Sequence, residues 1–215
     1  MAKGGPGKGY PFPWSLYRWL DGENAGVGRI DDLIAFATAL AGFLTALRRI
    51  DATDGPPPGR LSAFRGGPLA TYDAETRCAV EALGDLIDGD GATAAWNAAL
   101  VATWHGPPVW FHADVAVGNL LVRGGRLAGV IDFGCSGVGD PACDLTIAWT
   151  LLSGESRDAF RAGLSVDSAT LSRGRGWALW KASIVYAGLV DTNAVEGARA
   201  KLINDEVLAE YAHSA

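Results

Sequence analysis

The longest apolar stretch of the chain runs from Leu33 to Leu47, framed by Asp31-Asp32 before it and Arg48-Arg49 after it. Acids at the start and bases at the end suit a helix dipole. The stretch is short of the roughly twenty residues that a membrane span requires. It predicts a buried helix within Arg29–Ile50. Asp51–Thr71 is rich in Gly and Pro and reads as an ordered connecting loop. Helical patterning resumes over Asp73–Ile87 and Ala92–Thr103, and Trp110-Phe111 reads as a short strand. Pro141–Leu152 carries Pro at a favoured first-turn position and opens a helical remainder. Ser156–Ala162, Ser168–Leu189 and Asn193–Tyr211 complete it, with no internal repeat.

Between these helical blocks the pattern changes. Leu120–Arg123 and Arg126–Ile131 are apolar-rich runs separated by Gly124-Gly125. A Gly-Gly connection of this kind predicts a hairpin, because tight primed turns need positive φ. The pairing sets Arg123 against Arg126 and Asn119 against Val130, with Asp132 two residues further on at the same open end. Adjacent strands lie roughly 4.8 Å apart, so Asn119 and Asp132 are placed to share one cation. Asp114 lies in the loop leading into the hairpin, five residues before Asn119.

Each residue type suits a role in phosphoryl transfer. Mg²⁺ takes oxygen ligands, few of them from protein, and leaves room for waters and phosphates. Asp132 offers a carboxylate and Asn119 a neutral carbonyl oxygen. Asp114 stands free of the metal to orient a hydroxyl and accept its proton. A lone Asp or Asn in a Gly-rich turn is usually a turn former. Three with this spacing around a hairpin are a constellation.

Composition narrows the picture further. A chain of 215 residues is long enough for one substantial core, and 49% hydrophobic residues with eight Trp argue for a packed globule. The net charge is −6, with no basic run, so nucleic acid is not an expected partner. An acidic surface suits a cationic small molecule through steering, with Asp73, Glu75, Asp191 and Glu196 as the candidate acids. Cys78, Cys135 and Cys143 show no metal spacing, and with no apolar signal core at the start they point to a reducing cytoplasm.

The 112–119 stretch, His-Ala-Asp-Val-Ala-Val-Gly-Asn, and the 131–134 stretch, Ile-Asp-Phe-Gly, resemble the catalytic and metal loops of the aminoglycoside phosphotransferase family. Gly139-Asp140-Pro141-Ala142-Cys143-Asp144-Leu145 extends the match. The resemblance implies an α+β, mostly helical fold, a protein-kinase-like C-terminal lobe with a catalytic β-hairpin. It implies Asp114 as catalytic base, Asn119 and Asp132 as Mg²⁺ ligands, and ATP or GTP as phosphoryl donor. His112 and Asp144 become structural supports of the loop, and Arg18, Trp19 and Leu20 offer backbone groups to the nucleotide base.

The chain departs from the family pattern at Ala113, where a Gly is customary, and at Ala116-Val117, where the family has a more polar, Pro-containing pair. The Ala113 methyl is expected to force a different backbone angle. By the same resemblance, 1–13 is a flexible Gly/Pro-rich start, 14–25 a remnant small-lobe strand and hinge, and 26–215 the helical large lobe. Gly4–Gly9 is no phosphate loop, since Lys8 is followed by Gly9 and no strand precedes it. A small strand-rich lobe bearing a glycine-rich cover and a phosphate Lys is expected to be missing. The four lysines, Lys3, Lys8, Lys181 and Lys201, lie outside strand-like contexts. Three readings follow: a kinase lobe acting on a small, cationic molecule, a truncated remnant or binding module without catalysis, and a lobe completed by another chain. The apolar edge from Tyr10 to Trp19 is expected to support a homodimer.

Overall fold

The computed structural model describes residues 1–214. Three short strands, β1 (Ala2–Gly4), β2 (Trp14–Leu16) and β3 (Glu23–Asn24), precede helix α1 (Leu33–Arg48). Helices α2 (Asp73–Leu83) and α3 (Gly89–Val101) follow, then strands β4 (Val109–Phe111), β5 (Leu120–Arg123), β6 (Arg126–Val130) and β7 (Gly137–Gly139). Helices α4 (Ile147–Thr150), α5 (Gly154–Gly163), α6 (Ser168–Tyr186) and α7 (Ala194–Ser214) complete an α+β fold in which helices predominate.

Helix α1 starts at Leu33, later than the expected Arg29, because of its cap. The Asp32 carboxylate accepts hydrogen bonds from the N–H groups of Ile34 and Ala35, each at 2.9 Å. These are two of the donors a helix start leaves without partners. Phe36, Ala37, Leu40, Ala41, Leu44 and Leu47 form its buried face, which packs on α5 and β4. Burial of each large side chain contributes about 1.5–3 kcal/mol.

Helix α6 is the central element and is buried on all sides from Arg173 to Trp180. Gly is a poor helix former, costing about 1 kcal/mol relative to Ala. Here it permits close approach. A methyl at Gly176 would lie 2.7 Å from Cβ of Ala99 on α3, and one at Gly174 would lie 2.7 Å from Cβ of Leu145. The expected helix over Pro141–Leu152 is a 3₁₀ turn over Pro141–Thr146 followed by the short α4. Asp140 caps this turn by accepting from Ala142 N–H at 3.0 Å. Residues 141–145 are all buried, and the turn packs against α6.

The hairpin forms where expected, with one correction. Gly124 and Gly125 take φ of 55° and 69°, the two left-handed residues of a primed turn. Arg123 pairs with Arg126 and Val122 with Leu127, but Leu121 then pairs with Gly129 and Leu120 with Val130. Ala128 is therefore the extra residue of a β-bulge. The slip brings Ile131, not Val130, opposite Asn119, and Ile131 N–H donates to the Asn119 carbonyl at 2.9 Å. Asp132 consequently sits one residue nearer to Asn119 along the ladder than regular pairing allows.

Strand β3 pairs with β5 to make a three-stranded sheet, and β4 pairs with β7. The β4–β7 pair sets Phe111 against Gly137, so the 112–119 and 131–136 loops leave the same end of the structure. Strand β1, which falls in the segment expected to be flexible, pairs antiparallel with β2, Ala2 against Leu16 and Gly4 against Trp14. The ribbon and the segment after it expose Tyr10, Phe12, Trp14, Leu16, Tyr17 and Trp19. Among the described residues, no helix is long and apolar enough to cross a membrane.

Candidate active site

The 112–119 loop is held from behind. Both oxygens of Asp144 accept from the His112 N–H at 3.1 Å, and one also accepts from the Ala113 N–H at 2.8 Å. Burial pushes the Asp144 carboxyl up, against the pull of Arg48 and of these two N–H groups. Among the described residues, Nε and Nη2 of Arg48 are buried without hydrogen-bond partners. Burial lowers the pKa of this guanidinium. Next to Asp144, Asp140 is clamped by Arg173, whose Nε and Nη2 donate to its two oxygens at 2.6 and 3.2 Å.

His112 is fully buried. Its Nδ1 accepts from the Asp114 N–H at 3.3 Å, and its Nε2 donates to the Ile131 carbonyl at 3.0 Å. The partners fix the tautomer, since one offers only a proton and the other only lone pairs. The imidazole therefore bridges the loop carrying Asp114 and the loop carrying Asp132. The Phe133 ring lies over it, with centroids 4.7 Å apart.

Ala113 has φ of 73°. The methyl does not force another angle, contrary to expectation. The backbone stays left-handed at a cost of about 1–2 kcal/mol, held by the bond from its N–H to Asp144.

Asp114 and Asn119 meet. The Asn119 side-chain amide donates to the Asp114 carbonyl at 2.9 Å and to Asp114 Oδ2 at 2.8 Å. Both partners are acceptors, so the amino side of the amide must face them and its oxygen faces away. That leaves Asn119 Oδ1 free for a cation and Asp114 Oδ1 free for a proton donor. Asp132 is exposed, in a left-handed conformation with φ of 65°, and its Oδ1 accepts from Gly134 N–H at 3.4 Å. Its second oxygen has no partner among the described residues. No group of three or more His, Cys, Asp or Glu that could hold a metal occurs among the described residues. One carboxylate and one amide oxygen fit an ion that takes its remaining ligands from water and phosphate.

Asp114 lines a cavity of about 490 Å³ between its loop and helices α6 and α7. Of the four acids expected to face a cationic ligand, only Asp191 and Glu196 line it. Asp73 instead accepts from the Trp96 indole N–H at 2.7 Å, and Glu75 from that of Trp180 at 2.6 Å. Three cations line the cavity that the reading of the sequence did not place there: Arg65, Lys181 and Arg199. Lys181 carried a signal, as the only Lys within the long apolar and glycine-rich stretch from Gly174 to Ile184.

Arg18, Trp19 and Leu20 lie in irregular, exposed chain. Among the described residues their backbone N–H and C=O groups have no backbone partner. Leu20 approaches the hairpin, with its Cδ1 3.5 Å from where a Gly129 side chain would begin.

The sequence profile of the phosphotransferase enzyme family APH matches residues 2–180. The chain belongs to this family. No curated protein matches the chain significantly. Among solved structures, a GDP complex of aminoglycoside 2'-phosphotransferase-IIIa aligns over 97% of the chain and 74% of its own length, with a TM-score of 0.58 and 18% identity. Macrolide 2'-phosphotransferase type I aligns over 93% of the chain and 64% of its own, with a TM-score of 0.51 and 18% identity. A streptomycin–ATP ternary complex of APH(2")-IIa aligns over 91% and 68%, with a TM-score of 0.50 and 15% identity. At these identities the likeness speaks for the fold. This phosphotransferase-family chain has the kinase-like architecture of the aminoglycoside phosphotransferases.

Proposed function

We propose that this chain transfers the γ-phosphoryl group of ATP or GTP to a hydroxyl of a small molecule bound in the cavity. The observation that carries the reading is the Asp114–Asn119 pair at the cavity wall. One oxygen of Asp114 is fixed by Asn119, the other has no partner among the described residues, and the residue lines the cavity a substrate would fill. Asp114 then accepts the hydroxyl proton as the hydroxyl oxygen bonds to phosphorus and the bridging P–O bond breaks, releasing the nucleoside diphosphate.

Asn119 Oδ1 and the Asp132 carboxylate would hold Mg²⁺, which when bound supplies positive charge to the phosphates. His112 and Asp144 keep the two loops in register, and misplacement of about 1 Å costs on the order of a hundredfold in rate. In this reading, residues 14–25 form the strand and hinge, with the backbone of Arg18, Trp19 and Leu20 meeting the nucleotide base. The helical part from residue 26 onward is the substrate-binding lobe. The ATP and GDP complexes of the structural neighbours support a nucleotide donor.

Calorimetric titration with Mg·ATP tests this reading, with Asp132→Ala as control. Saturable binding lost in the variant is the expected result, and absence of binding to the unaltered chain overturns it.

A further inference from the structure

The cavity beside Asp114 differs in charge from the rest of the molecule. The chain carries −6 overall, yet Arg65, Lys181 and Arg199 balance Asp114, Asp191 and Glu196 around the cavity. Existing bonds separate the side chains already engaged from those left open. Glu196 accepts from the Thr192 hydroxyl at 2.9 Å and from Asn193 N–H at 3.3 Å. Arg199 donates to the Thr150 carbonyl at 3.1 Å. Asp114 is the proposed base. Lys181, Arg65 and Asp191 remain, and among the described residues none of the three side chains has a hydrogen bond or an ion pair. The Arg65 guanidinium lies 6.0 Å from the Trp180 ring centroid.

Lys181 is exposed at the cavity edge, and partial burial and the Arg65 charge push its ammonium down, against the opposing pull of Asp114, Glu75 and Glu196. Two cations line the cavity without a bonded anion, and apart from Asp114 the one unbonded acid there is Asp191. The rest of the wall is largely apolar, with Val115, Val117, Trp180, Val185, Val190 and Ile203 among its residues. A polycationic sugar needs an excess of unengaged acids, and here, with Asp114 set aside as the base, two unengaged cations face one unengaged acid, Asp191.

We propose that the acceptor is an amphipathic hydroxyl compound bearing an anionic group, which Lys181 and Arg65 bind while its apolar body fills the cavity. This rests on the proposed phosphotransfer at Asp114 and names its substrate class. One other anion suits the same pair, the γ-phosphate of the donor nucleotide, and the test separates the two.

Three probes of matched length, hydroxydecanoate, aminodecanol and decanediol, are titrated calorimetrically into the chain without nucleotide. Hydroxydecanoate is expected to bind at least about tenfold more tightly than either of the others, the span of one charge-assisted contact. Lys181→Met should erase that preference and Lys181→Glu should reverse it in favour of aminodecanol, with unfolding temperatures confirming that both variants fold. Equal binding of the three probes, preference for aminodecanol, or no binding of any overturns the proposal. So does a Lys181→Met variant that keeps the carboxylate preference but loses Mg·ATP affinity, which would assign the cation to the donor. The Mg·ATP titration with Asp132→Ala stands apart, so failure of the substrate class and failure of the phosphotransfer reading give different results.

Discussion

Behind the 112–119 loop, Asp144 and Asp140 have every carboxylate oxygen engaged, while in front of it Asp114 and Asp132 each keep one oxygen free. The four are the same residue type within one stretch of chain. The rear pair is buried and closed by backbone N–H groups and Arg173. Such closure is what makes a buried carboxylate tolerable. The front pair is partly or fully exposed and stays open to a ligand. The same contrast divides the cations of α6. Arg173 is spent on Asp140, and Lys181, two turns further along, is spent on nothing. A charge the fold consumes therefore supports stability, and a charge it leaves open is available to function.

The comparison breaks most sharply if the two sets prove interchangeable. Asp114→Asn should lower phosphotransfer by about two to four orders of magnitude. Its unfolding free energy should stay within about 1 kcal/mol of the parent, since a neutral amide can still meet Asn119. Steady-state kinetics beside denaturant unfolding reads both. Arg173→Met should do the reverse in kind, leaving Asp140 buried and unpaired at a cost of about 3–5 kcal/mol in urea unfolding.

Glu210 extends the rear set to the far side of the helical lobe. Its carboxylate accepts from Arg157, Arg161 and Arg175 and from the Trp149 indole. Burial raises its pKa, but Arg161 and Arg175 outweigh burial and the net direction is down. A carboxylate with a lowered folded pKa contributes stability above its unfolded value, near 4.3, and loses it as pH falls through the folded value. Glu210→Gln should therefore cost about 2 kcal/mol at neutral pH. Thermal unfolding across the acid range should show that gap closing as pH drops below roughly 4.

The smallest effect tests the loop between the two sets. Ala113→Gly relieves the left-handed strain but adds freedom to the unfolded chain, terms of about 1–2 and 0.4–1 kcal/mol. A net gain of about 0.5 kcal/mol in unfolding free energy is expected. A loss would mean that the methyl packing at this buried position outweighs its strain.

Much of this molecule follows from local pattern. The α1 run between paired acids and paired bases, the Gly124-Gly125 turn and the five-residue step from Asp114 to Asn119 each depend on residues close in sequence. Period, cap and turn chemistry are enough to specify them. The α1 start at Leu33 was legible in principle, because Asp32 is a strong cap.

Tertiary packing decided the rest. The Ala128 bulge, which moves Asp132 towards Asn119, has no turn residue to announce it. Asp73 and Glu75 looked free in the sequence, and only the packing of α2 against α3 and α6 reveals the indole N–H groups that occupy them. Lys181 and Arg65 lie 116 positions apart. The apolar surroundings of Lys181 set it apart locally, but nothing local places Arg65 in the same cavity, and their presence beside Asp114 depends on where α6 comes to rest. Sequence alone determined which residues are candidates for the proposed chemistry. The three-dimensional packing determined which charges were consumed in holding them, because an ion pair depends on distance in space and local pattern records only distance along the chain.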